Sequence, residues 1–166
     1  GGRDIYLAKF DESGALIWAY SFGGVGYDDA EEVATDADKN IYMAGSFNSV
    51  SIDFNPSPMA TNILSSATLN DDGYLLKLDS SGVFQWVQQF ATPGWDEVAG
   101  FKITDNSKLW LTGYFSGNMS IQPGFPAMQS AGSSDVMITC FDLNGVLLKQ
   151  VSIGGSGIDY AFGIDV

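Results

Sequence analysis

Several carboxylates stand close enough together to suggest hydrolytic chemistry: Asp28, Asp29, Glu31 and Glu32 form one group, and Asp96 with Glu97 forms another. Two carboxyl groups flanking a glycosidic bond suffice for acid–base hydrolysis. Asp28 and Asp96, however, occupy the same place in a repeating pattern, whereas a catalytic pair is normally unique in its site. A turn role therefore fits both better. Nucleophilic alternatives are narrow. Cys140 is the sole cysteine, set in the strand-like run VMITCFD, and the chain has no histidine. Without histidine, Cys/His and Ser/His/Asp arrangements cannot be assembled, and imidazole-ligated metal sites go with them. A single cysteine forms no intrachain disulfide and reads as a small buried hydrophobe. We expect no enzyme, no catalytic residue and no resident cofactor.

Two motifs imitate calcium sites. GGVGYDDAE and GGSGIDYAF fit the Gly-Gly-x-Gly-x-Asp nonapeptide of the calcium β-roll, in which tandem copies share ions between successive turns. Here the two lie far apart, at Gly23 and Gly154, with no second nonapeptide after either. DADKN, Asp36 to Asn40, places oxygens at alternate residues as an EF-hand loop does, but Ile41 stands where that loop needs glycine and a strand resumes at once. Both read as turns, and calcium is expected only as a weak, adventitious surface ligand.

The charge excludes further partners. With 20 acidic residues against 7 basic ones and a net charge of −13, the chain opposes nucleic acid and anionic lipid. It has no long apolar run to insert in a membrane. GGRDIYLAKF lacks the charged start and apolar stretch of a secretory leader, so any export signal lies outside this sequence.

The elements that must position these residues repeat. Gly14, Gly82 and Gly145 fall in DESG, DSSG and DLNG, 68 and 63 residues apart. Asp4, Asp72 and Asp135 precede apolar runs ending at Asp11, Asp79 and Asp142. Asp28, Asp96 and Asp159 close the glycine-bearing stretches GGVGYD, TPGWD and GGSGID. Each unit holds short runs rich in Ile, Val, Leu, Tyr, Phe and Trp between polar turns, the signature of strands joined by hairpins. Asp and Gly suit bulged turns, Asp by bonding backbone amides and Gly by accepting positive φ. DNSK, Asp105 to Lys108, reads as another polar turn. From Asp28 the unit gives four strands: EEVATD, NIYMAGSF, GYLLKLD and VFQWVQQF. A repeat of about 60 to 70 residues with four antiparallel strands is a propeller blade. Consecutive apolar residues in YLLKL and IYLAKF predict that both faces of those strands are buried between neighbouring blades. The segments after Asn48 and Gly117 contain prolines that would break a ladder, and they belong on the rim as loops or an edge ribbon.

The run DIYLAKFDESGALIWAYSFGGVGYDDAEEVATDADKNIYMAGSF, with VSIDFNPSP and SSATLNDDGYLLKLD after it, resembles the bacterial seven-bladed β-propeller repeat family known as SBBP. The likeness covers nearly the whole chain; ATPGW replaces the double glycine in the middle copy, and Lys149 stands where Trp18 and Trp86 stand. It implies a non-catalytic scaffold or binding module of a secreted or cell-surface bacterial protein. The alternative is a quinoprotein-like or glycan-active propeller enzyme whose active site needs further blades. It is suggested by the spacing of Asp11, Gly14 and Trp18, which is similar to a quinoprotein docking repeat; the sialidase Asp-box spacing is not met.

The expected fold is all-β, an incomplete ring of about two and a half four-stranded blades. Residues 1–27 give the outer two strands of a first blade, 28–90 a second, 91–153 a third, and 154–166 the start of a fourth. A closed ring needs at least about four blades, and open stacks leave apolar ends in water. The expected partners are therefore remaining blades of the same polypeptide, or copies of this chain edge to edge, together with a protein or glycan ligand. Tyr27 and Trp95 stand before Asp28 and Asp96 at equivalent loop positions, with Asp159 in the third copy. These five are the candidate binding residues. The rings would stack on sugars or anchor a protein, or else plug the seam between blades.

Overall fold

The computed structural model describes residues 2–66, 68–105 and 107–166, and every regular element among them is a strand. β1 (Ile5–Phe10) and β2 (Leu16–Phe22) form an antiparallel pair. β3 (Asp28–Thr35) and β4 (Ile41–Phe47) follow, then a small ribbon of β5 (Ile52–Asp53) and β6 (Ile63–Leu64). β7 (Asp72–Leu78) and β8 (Phe84–Phe90) complete a sheet in the order β3-β4-β7-β8. β9 (Glu97–Ile103), β10 (Lys108–Phe115), the ribbon β11 (Asn118–Met119) with β12 (Met128–Gln129), β13 (Asp135–Asp142) and β14 (Leu147–Ile153) repeat the plan, with sheet order β9-β10-β13-β14. All paired strands are antiparallel and each sheet is open. This is an all-β architecture of partial propeller blades.

The middle sheet is covered on both faces, which is why β4 is apolar or small throughout and buried along its whole length. Strand side chains alternate between faces. Ile41, Met43 and Phe47, with Tyr74, Leu76 and Leu78, pack towards Ile5, Leu7 and Phe22 of the first pair. Tyr42, Ala44 and Leu75 point the other way, onto Val98, Phe101, Leu109, Leu111 and Phe115 of the third sheet. Each large side chain buried in this way contributes roughly 1.5–3 kcal/mol.

β1 departs from the expected two-sided burial. Ile5 and Leu7 are buried, but Tyr6 and Phe10 on the opposite face are exposed, because no described residue packs there. Residues 159–166 run over the third sheet without forming a strand. They are held by the Asp159 amide on the Ser134 carbonyl at 2.9 Å, Tyr160 against Tyr114 with ring centroids 4.6 Å apart, and Lys102 on Asp165 at 2.9 Å.

The recurring Asp-x-x-Gly is the hairpin between the third and fourth strands of each unit. At Asp79 the amide bonds to the Val83 carbonyl at 2.8 Å, the Gly82 amide returns to Asp79, and Oδ1 accepts from Ser81 and Val83. Asp11 and Asp142 repeat this bonding. The register slips by one residue beside each turn. That bulge needs a residue in the left-handed region, and Gly14, Gly82 and Gly145 sit there with φ of 85°, 89° and 82°. DADKN is likewise a hairpin: Asp36 Oδ1 accepts from Asp38 and Asn40, and β4 begins at Ile41. Two sequence features run partly outside the described residues, the Asp105 turn at Asn106 and the first rim segment at Ala67. Pro56, Pro58, Pro123 and Pro126 lie in the loops of the rim ribbons, outside the ladders.

Candidate functional site

Asp28, Asp96 and Asp159 are placed alike. The amide of each reaches back to an equivalent residue one or two positions before the third strand of the preceding unit: Asp28 to Arg3 at 2.9 Å, Asp96 to Asp71 at 2.7 Å, Asp159 to Ser134 at 2.9 Å. The carboxylate of each accepts the amide four residues earlier, from Gly24, Thr92 and Gly155. Asp28 also accepts the Ser49 hydroxyl at 2.7 Å, and Asp96 accepts the Thr92 hydroxyl at 3.0 Å and the Ser116 amide at 3.1 Å. Asp28 is 1% exposed and Asp96 is fully buried. Their oxygens are spent on holding the entering loop to the end of the second strand of their own sheet, while their amides make the bond to the preceding unit. Sequence reading did not find Ser49 and Ser116 as their partners. The available signal was that each serine closes a second strand about 20 residues after its Asp.

The aromatic members stand outside this latch. Tyr27 is 57% and Trp95 52% exposed. Their backbones are fixed: the Tyr27 amide donates to Asn48 Oδ1 at 2.7 Å, and the Trp95 carbonyl accepts the Ser116 hydroxyl at 3.1 Å. Gly26 has no room for a side chain, since a Cβ there would lie 2.7 Å from the Ser49 amide nitrogen. Arg3 lies 5.7 Å from the centre of the Tyr27 ring and pairs with Asp29 at 2.9 Å. The result is two rigidly mounted, solvent-facing rings beside acidic loops, an arrangement suited to stacking against a flat ligand face.

The carboxylates of this end repel one another. Burial pushes Asp96 up to about 6, against the hydrogen bonds from Thr92 and Ser116. Burial also lifts Asp72 to about 6, assisted by the charges of Asp96 and Asp71 and opposed by the Gln89 amide at 2.7 Å. Asp71 and Glu97 are raised as well, chiefly by burial. Asp36 goes the other way: burial opposes its charge, but bonds from Asn40, Tyr42 and Asp38 outweigh it and hold the carboxyl low. Among the described residues no three such groups converge as a metal would require.

These shifts fix a pH dependence. Asp72 and Asp96 bind protons more tightly folded than unfolded, so their charge costs stability above pH 6 and the cost is relieved as pH falls towards 4. Asp36 stabilises the fold above its ordinary value and loses that contribution below it. The melting temperature should therefore rise by roughly 5 °C between pH 8 and pH 5 and fall again below pH 4. Thermal melts followed by circular dichroism test this, and Asp96→Asn should flatten the rise.

No family model matches the chain. Over 124 residues, 70% of its length, the chain is 24% identical to an uncharacterized WD repeat-containing protein of Acanthamoeba polyphaga mimivirus, 9% of which is matched. Over 145 residues, 87% of its length, it is 24% identical to the regulatory protein FlaEY of Caulobacter vibrioides, 15% of which is matched. The chain thus spans a small part of the curated relatives it matches. WD repeats build propellers of four-stranded blades. That likeness and the sheet plan together make this chain a propeller-like, repeat-type β module.

Proposed function

We propose that this chain is a non-catalytic propeller segment of the SBBP type, serving as a scaffold or binding module within a larger secreted or cell-surface bacterial protein, with an adhesion-type role. The observation that carries the reading is the pair of exposed rings, Tyr27 and Trp95, on loops whose carboxylates are consumed in holding those loops still. Rigid aromatic groups contribute contact area with little ordering cost on binding. Further blades, of the same polypeptide or of another copy, cover the apolar ends of the stack. No cofactor enters this reading, and calcium is left to weak association with the acidic surface.

The test is binding to an array of surface polysaccharides by the wild type and by the Tyr27→Ala, Trp95→Ala double variant. The expected result is a loss of at least about tenfold in affinity with an unchanged melting temperature, since each ring is worth more than 1 kcal/mol at such a contact. Retained binding, or a melting temperature that falls with the binding, assigns the rings to the seam between sheets instead.

A further inference from the structure

We infer that Trp95, together with Asp71 and Glu97, receives the guanidinium group of an arginine presented by a polypeptide partner. The inference rests on the reading of Trp95 as a binding ring and names what that ring takes. Its basis is a cation that the chain itself supplies at the equivalent place one unit earlier.

The earlier place is complete. The Arg3 guanidinium lies 5.7 Å from the centre of the Tyr27 ring and donates to Asp29 Oδ2 at 2.9 Å. One planar cation is thus shared between an aromatic ring and a carboxylate, a role that suits guanidinium better than ammonium because guanidinium stacks and forks. The backbone sets the arrangement: the Arg3 carbonyl accepts the Asp28 amide, Tyr27 precedes Asp28 and Asp29 follows it.

The next unit keeps every part except the cation. The Asp71 carbonyl accepts the Asp96 amide, so Asp71 stands for Arg3, Trp95 for Tyr27 and Glu97 for Asp29. The ring is now tryptophan, the side chain that attracts cations best. The carboxylate is retained, and a second carboxylate stands where the arginine was. Both are anchored: the Asn48 amide group donates to Asp71 Oδ1 at 2.9 Å, and the Tyr114 hydroxyl donates to Glu97 Oε2 at 3.0 Å. Among the described residues the ion pairs are Arg3 with Asp29 and Lys102 with Asp165, so no cation of the chain pairs with either carboxylate. Burial chiefly, and then the charges of acidic neighbours, raise both groups, so an arriving cation relieves repulsion already present. This open copy lies within the chain, in the loop between β8 and β9, with a four-stranded sheet on each side.

The third unit has neither ring nor carboxylate at these places. Ser134, Ile158 and Tyr160 occupy the positions of Asp71, Trp95 and Glu97. The chain therefore carries one filled copy, one open copy and one blank. The filled copy identifies the occupant, since the group seated there is an arginine side chain on a polypeptide. Two carboxylates can accept several of the five N–H donors of a guanidinium, whereas the hydroxyls of a neutral polysaccharide leave the negative charge unmatched. The net charge of −13 draws a basic segment towards this surface.

The test is an NMR titration of the whole chain with the capped tripeptide acetyl-Gly-Arg-Gly-amide, and with its lysine counterpart. The arginine peptide should shift the backbone amides of Trp95 and Glu97 saturably and leave those of Tyr27 and Asp29 in place. The lysine peptide should bind more weakly. Glu97→Gln, which can still accept from Tyr114, should weaken arginine binding at least about tenfold, the worth of a charge-assisted hydrogen bond. Asp71→Arg puts into the second unit the residue that the first one has, and it should abolish the response. Arg3→Ser should do the reverse and open the first copy, so that Tyr27 and Asp29 shift as well. Absence of a saturable response overturns the inference, as does equal binding of the lysine peptide. Binding indifferent to Glu97→Gln also overturns it, whatever Asp71→Arg does to the fold, and assigns the peptide to the acidic surface at large. A chain that binds polysaccharide through its rings while ignoring the arginine peptide defeats this inference alone, and the reading of the rings stands.

Discussion

Asp96→Ala is expected to lower stability by about 3 kcal/mol, a large share of what a single domain possesses. Asp96 is fully buried and accepts three hydrogen bonds, from the Thr92 amide, the Thr92 hydroxyl and the Ser116 amide. Removing the carboxylate strands all three donors where water does not replace it, and each buried, unpaired polar group costs about 1–3 kcal/mol. The full sum is not reached, because the variant also escapes the cost of a buried charge that holds the carboxyl near pH 6. That offset gives the prediction a second reading in pH. The wild type gains stability between pH 7.5 and pH 5 and the Ala variant lacks this contribution, so the difference between them widens on acidification. Urea unfolding at both pH values measures it. A loss under 1 kcal/mol at pH 5 would mean that the Asp96 carboxylate is not what holds the Thr92 loop to the end of β10.

The parts of this architecture encoded by residues near each other in the chain were legible in the sequence. The strands of the two four-stranded sheets follow from apolar runs between polar turns, and the Asp-x-x-Gly hairpins follow from residue types that suit a bulged turn together. What joins one sheet to the next was less legible, because those partners are 66 to 71 residues apart, as in Lys77 to Leu143 and Lys9 to Ser80. The lysines did recur at the repeat interval, but a lone Lys in a strand carries no mark of the carbonyl it will reach. The candidate loop was legible by position and not by role. Repetition singled out Asp28, Asp96 and Asp159, yet only geometry separates a carboxylate bonded to its own loop from one offered to a ligand. Composition could not foresee the one-sided burial of β1 either, since IYLAKF and YLLKL have the same apolar character and differ in what lies beside them.

Gly113→Val should be more damaging still, costing about 3 kcal/mol or more through overpacking that the backbone cannot relieve. Gly113 sits in the middle of β10, between Met137 of β13 and Val98 of β9, where β9 carries a bulge. The bulge lifts the Glu97 carbonyl over the glycine. A Cβ at 113 would overlap that oxygen and come 3.0 Å from the Val98 Cα, so the obstacle is main chain and not a side chain that can rotate away. β9 cannot retreat easily, because the Asp96 amide and the Phe101 amide bind it to the middle sheet through the Asp71 carbonyl and Glu32. The same design recurs at Gly45, opposite the bulge of β3, where a Cβ would overlap the Asp29 carbonyl. Gly14→Ala is the informative control. Gly14 has positive φ but open space around it, so Ala there should cost only about 1–2 kcal/mol of backbone strain. Equilibrium urea unfolding of the two variants separates lost space from lost conformational freedom. If Gly113→Val proves no worse than Gly14→Ala, the inner strand does not press on its neighbour as these sheets require, and the blade-like packing is wrong at its inner edge.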